Sequence, residues 1–380
     1  MQMTKYKLGD LIVQRREKNN NYDVPIRGVS KEGFIRAKQQ EADTSIYNVF
    51  YKNDFVFNPA RMELNSIALN LEYEKALCSS LYEVFYVKDE NIVLPEFLNL
   101  HIKRDEFARH CDYIGLGSAR EYCRFANISE FEIELPPIAV QQEIVDADRQ
   151  IKRRIRLNEH IIQRLEATAQ ALYRKMFVDN IDKENLPAGW RLATLGEICH
   201  VITKGTTPSN YSENGTVNFV KAESITPNHY IENKMLAHID DSIHNIELKR
   251  SIIKENDILF TIAGTLGKFC IADKTLLPAN TNQAIAIIRV DKSKIQPIDI
   301  YAMLVGGVHE DYCKRNIQQA VQANLSLETM SQLPILLPPD EIMDKFHKQI
   351  ISVFNTISLK QQENEKIMEL QSLLLAKMGQ

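Results

Sequence analysis

Leu135-Pro136-Pro137-Ile138-Ala139-Val140-Gln141-Gln142-Glu143-Ile144 opens the stretch that decides the fold, because from Ala139 to Val178 the chain holds neither proline nor glycine. Ile144, Ile151, Ile155, Ile162, Leu165, Ala169, Leu172 and Met176 follow at steps of three, four or seven. That is the a/d rhythm of a coiled coil, with Asp148 and Asn158 as polar interruptions. A helix of this length reaches roughly 60 Å at 1.5 Å per residue. The paired prolines stop the strand before it and let the helix start just after them.

The same device returns near the end. Leu337-Pro338-Pro339 leads into Met343, Phe346, Ile350, Val353, Ile357, Ile367, Leu374 and Met378, with no glycine until Gly379. Each long helix follows a block of mixed character, and the two blocks match piece by piece. Tyr6-Lys7-Leu8-Gly9-Asp10-Leu11 answers Arg191-Leu192-Ala193-Thr194-Leu195-Gly196-Glu197-Ile198. Lys52-Asn53-Asp54-Phe55-Val56-Phe57 answers Glu255-Asn256-Asp257-Ile258-Leu259-Phe260, a polar turn and then a short strand. Leu81–Val87 answers Ala284–Val290, both rich in β-branched and aromatic residues. Helical segments follow at Pro95–His110 and Asp299–Asn316, then strands at Phe131–Leu135 and Leu333–Leu337.

The expectation is an α+β chain of two duplicated α/β blocks separated by two long helices. Its divisions are 1–138 for the first block, 139–188 for the central helix and linker, 189–338 for the second block and 339–380 for the C-terminal helix. If each block begins and ends near one spot, the second helix runs back along the first. The pair then forms an antiparallel coiled coil with pseudo-two-fold symmetry, packed through Ile151, Ile155, Ile162, Leu165 and Leu172 against Ile350, Val353, Ile357, Ile367 and Leu374. The alternative is two separate helices, each lying on its own block.

At 380 residues the length suits two or three domains of about 100–200 residues. The formal net charge of -4 argues mildly against a polyanionic partner unless cations gather on one face. Six cysteines without a C-x-x-C pair read as buried thiols of a reduced cytoplasmic protein. No run approaches the ~18 apolar residues of a membrane span.

Catalytic constellations fail on inspection. There is no H-E-x-x-H, and the adjacent pairs His110-Cys111 and Cys199-His200 suit core or surface better than metal. Ala263-Gly264-Thr265-Leu266-Gly267-Lys268 lacks the first glycine and the Ser/Thr of a phosphate loop. An adenine methyltransferase needs an Asn/Asp-Pro-Pro-aromatic motif, and Leu135-Pro136-Pro137-Ile138 lacks both amide and ring. What the loops carry instead suits nucleic acid. Lys204, Thr206, Thr207 and Ser209 surround Gly205; Thr265 and Lys268 flank Gly267; Gly117, Ser118 and Arg120 precede Arg124; Arg61 lies near Asn58 and Ser66. Asn280, Asn282, Gln283, Gln319 and Gln322 supply amides able to pair with adenine edges. Lysines and arginines would hold phosphates, and amides would read bases. Each of these residues taken singly is also compatible with a solvated turn.

With these strings in order, the chain resembles the DNA-specificity subunits of Type I restriction–modification systems. The resemblance rests on the duplicated block, the two Leu-Pro-Pro exits, Gly205-Thr206-Thr207-Pro208-Ser209, Asp257-Ile258-Leu259-Phe260-Thr261 through Lys268, Asn282-Gln283-Ala284, Phe57-Asn58-Pro59-Ala60-Arg61 through Ala68, and Gly115-Leu116-Gly117-Ser118. It implies that each block recognises one half of a split double-stranded DNA site. It implies a helix pair that sets the spacer and docks two methyltransferase subunits, with restriction subunits joining them. S-adenosylmethionine, ATP and Mg would then belong to those partners, this chain being non-catalytic and binding no cofactor or metal. The rival from another class is a coiled-coil adaptor holding two protein-binding blocks apart.

Overall fold

The computed structural model describes residues 3–37, 43–115, 122–179, 181–318 and 324–377. They fall into two compact units, Met1–Leu157 with Gln362–Gln380, and Asn158–Gln361. Both long helices are present, Ile138–Phe177 and Asp340–Lys377, so each unit owns part of both.

In the first unit the strand Thr4–Lys7 pairs antiparallel with Glu132–Leu135, the strand that feeds the first long helix. The central sheet has the order Ile12–Arg15, Glu83–Val87, Phe55–Phe57, Ile67–Leu69, antiparallel throughout. In the second unit Arg191–Thr194 pairs with Pro334–Leu337. Its central sheet runs Cys199–Lys204, Ile285–Val290, Ile258–Thr261, Phe269–Ile271 in the same order and sense.

The duplication extends to single hydrogen bonds. Asn53 and Asn256 both take left-handed φ, 66° and 70°, a conformation asparagine tolerates better than most side chains. The next residue in each turn is a buried aspartate. Asp54 Oδ2 accepts from Tyr51 N at 2.7 Å, and Asp257 Oδ2 from Lys254 N at 2.7 Å. Each carboxylate takes two guanidinium bonds, Asp54 from Arg15 at 2.6 and 3.0 Å, Asp257 from Arg289 at 2.8 and 2.6 Å. The arginines come from different strands, the outer one in the first unit and its neighbour in the second. Where Arg289 stands, the first unit has Tyr86, whose ring lies 4.5 Å under the Arg15 guanidinium.

The helical segment expected over Pro95–His110 is two helices, Pro95–Ile102 and Asp105–Gly115. That expected over Asp299–Asn316 is likewise two, Pro297–Val305 and Glu310–Gln318. In the second unit Gly306-Gly307 breaks the helix, Gly307 having φ 89°. In the first the break is at Lys103, whose Nζ donates to the carbonyls of Lys31 and Ile67, both at 2.9 Å.

The long helices are built into the cores. In the second unit Ile162, Ala169, Tyr173 and Phe177 share one buried cluster with Phe346, Ile350, Phe354 and Ile357 and with sheet residues Phe260, Phe269 and Ile288. Phe177 meets Phe346 edge-on, ring centroids 4.8 Å apart. Leu165, Leu172 and Val353 pack against that cluster half-buried. In the first unit Val145 is buried in the block's core, and Ile144 and Leu375 pack against it. Gln141, fully buried, latches the helix to its block by accepting from Leu94 N and donating to the carbonyls of Ile92 and Pro136. Arg154 bonds Glu363 at 2.5 Å and Gln371 bonds Asp148 at 2.7 Å, so the two helices run antiparallel there.

The expected packing list needs a physical adjustment. Ile151, Ile155, Ile367 and Leu374 are only half-buried, and in the first unit Arg154–Glu363 and Asp148–Gln371 bonds join the helices. Tyr173, Phe177 and Phe354, outside the list, are buried. In the second unit each helix touches both its partner and the sheet, so its apolar face is wider than an a/d seam.

Candidate nucleic-acid interface

In the second unit three loops are joined. Gly205 leaves the end of the Cys199–Lys204 strand and lies against the turn after Ala279–Thr281. A Cβ there would sit 1.8 Å from the Thr281 carbonyl oxygen, so only glycine fits. Thr206 N donates to Thr281 O at 3.1 Å. Thr207 Oγ1 donates to Gln283 Oε1 at 2.6 Å. Ser209 donates from both N and Oγ to the Glu247 carboxylate, each at 2.7 Å. Arg250 Nη2 donates to Thr206 Oγ1 at 3.4 Å. Lys204, Thr206, Thr207, Ser209, Gln283, Glu247 and Arg250 are all exposed. Beside them Tyr211 packs edge-on to Phe219 and carries the Lys221 ammonium 4.7 Å from its ring centroid.

The floor of this cluster is rigid. Asn280, fully buried, bonds His244 Nδ1 at 2.5 Å and donates to Leu248 O at 3.1 Å, while Thr281 Oγ1 donates to Val220 O at 2.9 Å. Asn282 turns its side-chain oxygen inward to accept from Ala284 N at 3.1 Å. The Gly264–Lys268 loop is held by Thr261, whose hydroxyl donates to Thr265 O at 2.5 Å. Thr265 is exposed, but Lys268 spends its ammonium on the Ile225 carbonyl at 3.0 Å. Lys268 is thus half-buried and already partnered.

In the first unit the backbone N of Cys123 donates to Pro59 O at 3.0 Å, which brings the Asn58–Arg61 turn beside Arg124. Asn58 caps that turn by accepting from Ala60 N, and Arg61 is exposed. Arg124 lies 3.7 Å from Glu83. Ser66 is buried and therefore scaffold rather than contact surface. Gly117, Ser118, Arg120, Gln319 and Gln322 lie outside the described residues.

Sequence reading missed Glu247, Arg250, Tyr211 and Lys221. They reach the Gly205 loop from far along the chain, and no fixed spacing ties them to it. Burial pushes the Cys199 thiol up to about 12 and Cys313 up to about 11, and raises Cys78 and Cys270 further, whereas the hydrogen bond with Cys111 lowers Cys123. Among the described residues no group of three or more His, Cys, Asp or Glu is placed to hold a metal ion. No helix among them is long and apolar enough to cross a membrane.

The family model described as "Type I restriction modification DNA specificity domain" matches residues 2–167 and again 187–369. The chain belongs to this family. Among its relatives, the Type I restriction enzyme HindI specificity subunit of Haemophilus influenzae is 23% identical over 362 residues, covering 76% of this chain and 77% of that one. The MjaIX specificity subunit of Methanocaldococcus jannaschii is 24% identical over 314 residues, 75% of this chain and 68% of that one. The crystal structure of a Type I restriction-modification system S subunit from M. genitalium shares the fold with TM-score 0.60 at 14% identity, covering 99% of this chain and 96% of that chain. As a Type I specificity chain with both helices and sheets, it is two copies of one α+β design.

Proposed function

We infer that this chain is the DNA-recognition subunit of a Type I restriction–modification complex, acting in the cytoplasm. Each block reads one half of a bipartite double-stranded site. The long helices, outside the blocks in chain order (139–188 and 339–380), carry the docking surface for two methyltransferase subunits, and restriction subunits complete the assembly. The chain supplies recognition alone; S-adenosylmethionine, ATP and Mg serve the partners. In the second block Lys204 and Arg250 hold phosphates while Thr206, Ser209, Thr265 and the exposed amide of Gln283, positioned by Thr207, face the bases. In the first, Asn58, Arg61 and Arg124 do the same, joined by the expected Gly117, Ser118 and Arg120.

The observation that carries this reading is the exposed cluster of hydroxyls, amides and cations welded to a buried floor. Contacts to phosphate fix register and contacts to base edges give specificity, and both need loops that do not shift. The mild net acidity leaves the phosphate attraction to local cations and to the partners, so binding should weaken steeply with salt. A coiled-coil adaptor has no use for such a loop.

Modified-base sequencing of the native genome, with and without this gene, tests the reading. The expected result is a bipartite motif whose adenine methylation disappears only in the deletion. Identical methylomes, together with failure to co-purify a methyltransferase, refute it.

A further inference from the structure

We propose that Gln283 is the side chain with which the second block reads a base, an adenine approached along its major-groove edge, and that Thr207 is its positioning residue. This rests on reading the block as a half-site reader, and it selects one residue among several amides. Asn280 is buried and spent on His244 and Leu248. Asn282 closes its own turn on Ala284 N. Gln283 alone of the three is exposed, and among the described residues it is held by the Thr207 hydroxyl alone.

The manner of that hold matters. Thr207 Oγ1 donates to Gln283 Oε1 at 2.6 Å, which among the described residues leaves the two Nε2 hydrogens and one Oε1 lone pair unengaged. A donor and an acceptor side by side complement the N7 acceptor and N6 donor of adenine. Ordering a free glutamine side chain gives up rotamer entropy, and the threonine bond orders it before DNA arrives. Thr207 is in turn fixed because Gly205 packs directly on the Thr281 and Asn282 carbonyls. Arg250, bonded to Thr206, places a cation on the same loop for the flanking phosphate.

The test uses the full complex with its methyltransferase subunits, selecting from a randomised-duplex library with the natural chain and with Gln283→Ala, Gln283→Glu and Thr207→Val. Gln283→Ala should relax one adenine position in one half-site, losing roughly 5- to 150-fold in discrimination, with the other half-site unchanged. Gln283→Glu should move the preference at that position toward cytosine, whose N4 donates to a carboxylate. Thr207→Val should keep the motif and reduce enrichment. An unchanged motif in Gln283→Ala overturns the proposal. So does loss of enrichment at every position of that half-site, which would mark Gln283 as structural. If the natural chain enriches no bipartite motif at all, it is the specificity-subunit reading itself that fails.

Discussion

Burial pushes the His309 imidazole down to about 4, and desolvation with the nearby Arg104 charge takes His101 to about 4 as well. His309 lies edge-on to Phe260 and Phe269 at 5.4 and 5.3 Å, where a proton has little to solvate it. Both residues are neutral when folded, whereas the unfolded chain protonates them near pH 6.5. The unfolded state therefore binds more protons between about pH 6.5 and 4, and stability falls as pH drops through that window. Each histidine contributes a loss of about 3 kcal/mol across it. His309→Gln should flatten the pH dependence of denaturant midpoints below pH 6.5 and leave them little changed at pH 8; an unaltered slope contradicts this. Residue-level pairing was the least legible part of the sequence. Asp54 and Asp257 align at once, but their arginines, Arg15 and Arg289, sit on different strands. A pair conserved in space and not in order leaves no linear trace.

Among the elements, the long helices and the matching central strands were readable because proline, glycine and hydrophobic period all agree there. Their borders were less so. The break after Val305 follows from Gly306-Gly307, yet the reason for a glycine there is tertiary: a Cβ on Gly306 would lie 2.2 Å from the Tyr173 ring. The first long helix thus comes down on the second block at a residue with no side chain. Gly306→Ala should force the two apart and cost about 1–3 kcal/mol, the range of overpacked cores, read as a lower melting temperature with the sheet's circular dichroism retained before melting. The loops of the candidate interface were half legible. Glycine, hydroxyls and amides signalled the Gly205 loop, whereas Arg250 and Glu247 could be placed only once the chain had folded.

For the whole molecule, the chain connecting the units is helical on both sides of Leu157, and the second helix is continuous past Gln361. On the proposed function, the spacing between half-sites follows helix length, with half-sites about 34–36 Å apart when they lie one turn from each other. Inserting a helical turn, about four residues or 6 Å, near Glu159–Arg164 should lengthen the unread spacer and leave both half-site sequences as they were. Methylome sequencing of a strain carrying the insertion checks this; an altered half-site with the spacer unchanged contradicts it.

The division of the units has a consequence for synthesis. The second unit is one continuous piece, Asn158–Gln361, and the first is closed only by Gln362–Gln380. Synthesis from the N-terminus therefore brings out the whole of the second unit before the Gln362–Gln380 segment that belongs with the first. A stop codon shortly before Gln362 would spare the second unit and take from the first its Gln362–Gln380 segment, with the Glu363 and Gln371 bonds to Arg154 and Asp148.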